Sequence, residues 1–483
     1  MPETRDFPDR AHERGHLARL PKRRAGRSRG PTSRLVWHRR CASLGGLAKR
    51  TAISEHRVFD MLPIQKSHGN PFYVLISLPA TAMGFALCVQ ISALSWILST
   101  QYHLEIHEVG YVWLAGPLAG ILAQPLVGLV SDRVWFWGGR RRPFIVLGGI
   151  LAGGMVLALP FLGEIGKFTG LPTLWVAIGV ALTLDLAINV GFNPTRSIIA
   201  DVTPEGSGRT KGFTWMQTIS GFFGVLAYVT GAVFGNYALI YGGAALVVLF
   251  NVVPSLLISE PRQLAGGGDA EPSSREPAPI GRLLHIFLAH GFTWLGVQTM
   301  FVYLFAYIKD SMVLSDTGDS EVGRVINIAF LVLNVVGFIL PVLVLQPVSA
   351  RLGLVRTHAA CVAVMALGYA GILSFGRTPA MLFLFMAVVG VGWASTVSLP
   401  FAIVSDNVDG ARMGLFMGLF NLSVVIPQLL ASGVAGKFIG AAPDKRIVFL
   451  IASVSLAVSA VLWLFVRENP TGRTAARIQP AAH

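Results

Sequence analysis

The chain has 483 residues, 53% of them hydrophobic and only 13% charged. Soluble domains carry about 25% charged residues, so a soluble enzyme is excluded. The net charge of +14 is uneven: residues 1–70 hold 16 Lys and Arg against 6 Asp and Glu.

That basic tail, residues 1–70, is expected to be disordered and to lie beside anionic lipid on the cytoplasmic side. Its Arg-dense stretch Pro21–Arg29 alone suggests nucleic acid, and no nucleic-acid partner is expected. The tail lacks the apolar core of a secretory signal peptide. Met61, ten residues before the first apolar run, would make a natural start.

From there the chain reads as twelve membrane-crossing helices, each near the ~20 apolar residues a bilayer demands. Spans 1 to 6 are expected at 71–98, 109–130, 143–162, 173–199, 212–235 and 238–259. Spans 7 to 12 are expected at 283–308, 323–346, 357–376, 379–403, 413–438 and 447–466. Gly and Pro inside these runs are compatible with helices that pack against one another in a bundle. The polar stretch 260–282 reads as a linker between a first half, 71–259, and a second half, 283–466. The loops on its side of the bundle hold 12 Lys and Arg, the opposite loops 7. Both termini, including the tail 467–483, are therefore expected in the cytoplasm of an inner-membrane protein.

The halves resemble each other weakly. Leu87-Cys88-Val89-Gln90 is similar to Leu295-Gly296-Val297-Gln298, and Ser197-Ile198-Ile199-Ala200-Asp201 to Ala402-Ile403-Val404-Ser405-Asp406. The offsets, 208 and 205 residues, suggest a duplicated six-helix unit with a substrate site between the copies.

Charges inside the spans are the most informative feature. Arg196 is the one Lys or Arg outside the tails, loops and span ends, and Asp185 the one acid deep within a span. Both lie in span 4, eleven residues apart. Eleven residues make about three helical turns, so the two share a face roughly 16 Å apart, with Asn189 and Phe192 between them. A charge within a span marks a functional site by default. Asp185 is the candidate proton carrier, because burial penalises its charged form. Arg196 keeps its proton, and its fork of donors suits substrate oxygens. Helix packing is the alternative role for both.

A solute in such a site would be met by amides at its polar groups and by aromatic rings at its C–H faces. Candidates are Gln90, Ser92 and Trp96 in span 1, Gln217 in span 5, Trp294, Gln298 and Tyr303 in span 7, and Asn421 and Gln428 in span 11. Tyr111, Trp113, His285 and His290 are expected at the membrane interfaces. Cys41, Cys88 and Cys361 have no metal-ligand spacing, and no metal or organic cofactor is expected. No G-x-x-x-x-G-K-[ST] run supports ATP-driven pumping.

Between spans 2 and 3 stand Gly128-Leu129-Val130-Ser131-Asp132-Arg133 and Gly139-Arg140-Arg141-Arg142-Pro143-Phe144-Ile145. This resembles the G-x-x-x-D-R…G-R-R signature of major facilitator transporters, which implies an all-α membrane fold of two pseudo-symmetric six-helix halves. Asp132, Arg133, Arg140, Arg141 and Arg142 would then form a conformational latch across the seam between halves. With Val112–Gly120, Gln124–Gly128, Leu184–Asn189, Pro194–Asp201 and Met417–Gln428, the chain is similar to the sucrose:proton symporters of plants and their animal and bacterial relatives. The resemblance implies import of a sucrose- or maltose-type glycoside with a proton, by a monomer, with roles for Asp185 in coupling and Arg196 in sugar binding. Plant members carry an acidic segment at the end of span 7, where this chain reads Phe305-Ala306-Tyr307-Ile308-Lys309-Asp310. Transport of another solute, or a non-transporting sensor or assembly factor, are the alternatives.

Overall fold

A computed structural model describes residues 63–121, 135–204, 207–261, 280–314, 318–406 and 413–467. The expected tails 1–70 and 467–483, and the linker 260–282, fall almost wholly outside them.

Eleven helices among the described residues are long and apolar enough to cross a membrane. In the first half these are Asn70–Thr100, Arg142–Thr169, Thr173–Val202, Lys211–Phe234 and Asn236–Leu257, which are spans 1, 3, 4, 5 and 6. In the second half they are Gly281–Ser311, Asp319–Leu340, Leu354–Phe375, Pro379–Val404, Leu419–Ala441 and Ile447–Leu464, spans 7 to 12. Span 2 begins as helix at Ile106–Trp113, continues helical over 115–121, and then leaves the described residues. Glu105 starts it with a reciprocal cap, its carboxylate and that of Glu108 accepting backbone N–H groups of the first turn.

Among the described residues, π-helical turns occur at Gln90–Leu94 in span 1, at Pro341–Leu345 directly after span 8, and at Ala431–Ala435 in span 11. Each inserts one extra residue into the helix, which turns the following side chains by about 100° relative to those before. Polar side chains inside the bundle bond from helix to helix. Thr81 of span 1 meets Ser220 of span 5 at 3.0 Å, and Thr293 of span 7 meets Ser459 of span 12 at 2.7 Å. Such bonds satisfy hydroxyls where no water is at hand.

The halves meet tightly at the end of the bundle that holds Trp96. There Ser92 Oγ donates to Asn327 Oδ1 at 2.6 Å, and Asn327 Nδ2 donates to Asn236 Oδ1 at 2.6 Å. Ser95 Oγ donates to the Val302 carbonyl at 3.0 Å, and Trp96 Nε1 to the Asp319 carbonyl at 2.7 Å. Ser92, Asn236 and Asn327 are all buried. Tyr228 of span 5 stacks on Phe330 of span 8, centroids 5.7 Å apart, and extends the seal.

Candidate functional site: a polar cavity between the halves

Span 4 runs unbroken through Pro194 and turns the Asp185 stripe toward a cavity of about 330 Å³. Small-molecule sites span about 300–1,000 Å³, so this one suits a compact ligand. Asp185, Asn189 and Phe192 line it, as their shared helical face requires. Asp185 is 6% exposed, and Gln90 Nε2 donates to its Oδ2 at 3.0 Å. No cation pairs with Asp185 among the described residues. Gly116 of span 2 makes room for the carboxyl: a Cβ there would stand 3.3 Å from Oδ2. Asn189 Nδ2 donates to the Asp185 carbonyl at 2.8 Å.

The second half faces this acid with amides and rings. Gln298, Asn421 and Gln428 line the cavity, and Gln428 Nε2 donates to Gln298 Oε1 at 3.2 Å. Gln90 and Gln298, the matching ends of the weak repeat, thus approach the same space from opposite halves. Trp294 of span 7 and Trp393 of span 10 stand edge to face at 6.2 Å. Phe301 meets Trp393 at 5.2 Å and 62°. These three rings form one aromatic wall, with Trp113 also on the lining.

Several expected site residues lie elsewhere. Trp96 is spent on the seal, its indole N–H held by the Asp319 carbonyl, and it lines a separate pocket at that end with Tyr237. Ser92 belongs to the same seal. Tyr303 is fully buried, and its hydroxyl donates to the Ser432 carbonyl at 2.8 Å, so it ties span 7 to the π turn of span 11. Gln217 is exposed and away from the lining. Arg196 is exposed, off the cavity lining, with its guanidinium 5.2 Å from the centroid of Phe192, which does line it.

Two rings escaped the sequence reading. Trp113 is 7% exposed, not interfacial, and its Nε1 donates to Ser95 Oγ at 2.8 Å. Trp393 stands three residues after Gly390, the position that the 205-residue offset matches to Asp185, and no sequence signal marks it.

Of the expected latch, Asp132 and Arg133 lie outside the described residues. Arg140, Arg141 and Arg142 turn their backbone N–H groups onto the Glu260 carboxylate at 2.8, 2.8 and 2.7 Å. Gly139 is needed there, since a Cβ would collide with that carboxylate. Arg141 Nε pairs with Asp201 Oδ2 at 3.2 Å, and the Arg142 guanidinium reaches the Ile258 carbonyl. Asp201 and Ile258 belong to the first half, and Glu260 opens the linker. The folded loop thus gives its amides to the carboxylate just beyond the end of span 6.

The chain is 26% identical over 444 residues to Sucrose transport protein SUC4 of Arabidopsis thaliana, covering 76% of this chain and 84% of the relative. It is 25% identical over 389 residues to Sucrose transport protein SUT2 of Oryza sativa subsp. indica, covering 66% and 77%. Its fold matches the xylose transporter XylE from E. coli, in an inward-open conformation, with a TM-score of 0.63 at 14% identity, over 83% of this chain and 97% of XylE. The nucleoside transporter NupG matches with a TM-score of 0.61 at 15% identity, over 82% and 98%. The family model of the Major Facilitator Superfamily matches residues 74–432 and 326–482. Two helical halves around a polar cavity, with that match across the chain, make this multi-pass membrane protein a member of the Major Facilitator Superfamily.

Proposed function

We propose that the protein is a proton-coupled sugar symporter that imports a sucrose- or maltose-type glycoside by alternating access. The observation that carries this reading is Asp185: a buried carboxyl with one amide donor, no cation partner among the described residues, and a place on the wall of the cavity. An acid so placed takes a proton from whichever side the cavity faces and stays charged only while water reaches it. Gln90, Asn189, Gln298, Asn421 and Gln428 supply donors and acceptors for sugar hydroxyls, and Trp294 and Trp393 supply faces for the C–H groups of a ring. The named sucrose transport proteins among its relatives favour a glycoside.

The Trp96 end is the periplasmic one, by the distribution of basic loops. With that end closed, the cavity is sealed on its periplasmic side. Arg196, about three turns from Asp185 toward the cytoplasm, meets the sugar on its way out or balances the charge left by the departing proton. The loop bearing Arg140–Arg142 acts as the cytoplasmic latch when the halves rock together at that end. The protein works as a monomer in the inner membrane, with no cofactor beyond the coupling proton.

The test is uptake of labelled sucrose, maltose and glucose into proteoliposomes under an imposed inward proton gradient. Accumulation of one sugar above its outside concentration, lost on adding a protonophore, is expected. Uptake that ignores the proton gradient but follows a sodium gradient overturns the coupling ion. Absence of all sugar uptake overturns the substrate class.

A further inference from the structure

His290 lies four residues before Trp294 in span 7. It is wholly buried rather than at the membrane interface where the sequence placed it. Its Nε2 stands 2.9 Å from Trp294 Nε1. An indole N–H can only donate, so Nε2 must be the acceptor, and the neutral ring carries its proton on Nδ1. That Nδ1 is buried and has no hydrogen-bond partner among the described residues. The ring itself is clamped: it stacks on Phe420 of span 11 with centroids 4.6 Å apart and planes 21° apart. Phe420 is braced in turn by Phe401 at 5.4 Å and Phe287 at 5.6 Å.

A buried histidine with one nitrogen left unpaired is a poor packing residue, since a hydrophobic side chain would fill the space without an orphaned donor. Its other nitrogen explains its presence. Trp294 lines the cavity, and its polar atom is turned back into the protein by His290, which leaves the ring rather than the N–H to face the ligand. We infer that His290 is a positioning residue: through its unprotonated Nε2 it fixes Trp294 as the stacking wall for a sugar ring in the second half. This rests on the proposed sugar transport, but the bond to Trp294 can be tested without any sugar.

The functional arm is a double-mutant cycle on uptake. His290→Leu removes the acceptor and is expected to raise KM about tenfold with Vmax within about twofold, the scale of one lost orienting contact. His290→Gln places an amide oxygen near the position of Nε2 and should restore KM to within about twofold of the parent. In a Trp294→Phe background, which has no N–H to hold, His290→Leu should change KM no further. An equal KM effect in both backgrounds, or failure of Gln to rescue, overturns the inference.

The sugar-free arm is the fluorescence of Trp294, taken as the parent spectrum minus that of Trp294→Phe. A red shift and greater quenching by acrylamide are expected in His290→Leu and not in His290→Gln. An unchanged Trp294 spectrum in His290→Leu overturns the inference even if sugar is transported. A shifted spectrum with no sugar uptake by the parent protein leaves the positioning role standing and removes the substrate class instead. Should His290→Leu not be recovered folded, Trp294→Phe compared with His290→Gln tests the same bond from its donor side: KM raised in the first and near parental in the second is expected, and the reverse order overturns it.

Discussion

Spans 4 and 10 occupy matching places in the two halves, yet they meet the cavity with opposite chemistry. Span 4 presents Asp185, Asn189 and Phe192 to the lining, with Arg196 beyond. At the 205-residue offset, span 10 has Gly390, Ala394, Val397 and Phe401 in their places, and its one residue on the lining is Trp393. Gly390 lets Val336 of span 8 pack against the helix, where span 4 keeps a charge. The two halves repeat the frame, and these two spans fill it differently. A lone buried acid calls for water and a proton, while an aromatic wall needs neither. On the proposed function, the difference divides coupling and ring recognition between halves that must move relative to each other.

Substitutions on each side can break that division. The largest effect is expected from Asp185→Asn. Proton-driven accumulation should fall at least ~100-fold, while sugar exchange down its own gradient persists; the ratio of the two, measured in proteoliposomes, is the test. Loss of both alike would mean that the acid binds sugar rather than carries the proton. Trp393→Ala should do the converse. Losing a stacked ring raises KM about fivefold, consistent with roughly 1 kcal/mol for an aromatic contact, and leaves the proton-to-sugar ratio unchanged.

Two finer changes sharpen the contrast. Gly116→Ala sets a methyl 3.3 Å from the Asp185 carboxyl, which must shift by a few tenths of an ångström. A several-fold drop in accumulation with KM unchanged is expected, and equal changes in both would merge the roles of the two halves. Asn327→Ala leaves Asn236 and Ser92 without their partner across the seal. Ser92 keeps only its long 3.4 Å bond to Asn236 Oδ1 within the first half, so the state closed at the Trp96 end loses population, seen as labelling of an introduced cysteine from that side. The smallest effect belongs to Tyr303→Phe. It deletes one hydroxyl bond to a backbone carbonyl, so thermal stability falls by about 1 kcal/mol while transport stays intact. A changed KM would return Tyr303 to the binding site.

The sequence by itself determined the bundle and its most charged feature. A bilayer offers no partner to a backbone amide, so each crossing must be a long apolar helix, and such helices declare themselves by length. The same solvent makes any interior charge conspicuous, which is why Asp185 and Arg196 could be named from their places within an apolar run. Helical geometry then placed Asn189 and Phe192 on one stripe with Asp185. What the tertiary structure decided was the use of neutral polar and aromatic side chains. Trp96, Tyr303, Trp113 and Trp393 look alike in sequence, yet two hold helices together and two line the cavity. A tryptophan or an amide tolerates packing, sealing or binding equally well. Its role follows from the rotation of its helix and from π turns, such as the one at Gln90–Leu94, that reset the register by a residue. Neither leaves a mark in composition or spacing, because both are set by the neighbouring helices and not by the segment itself.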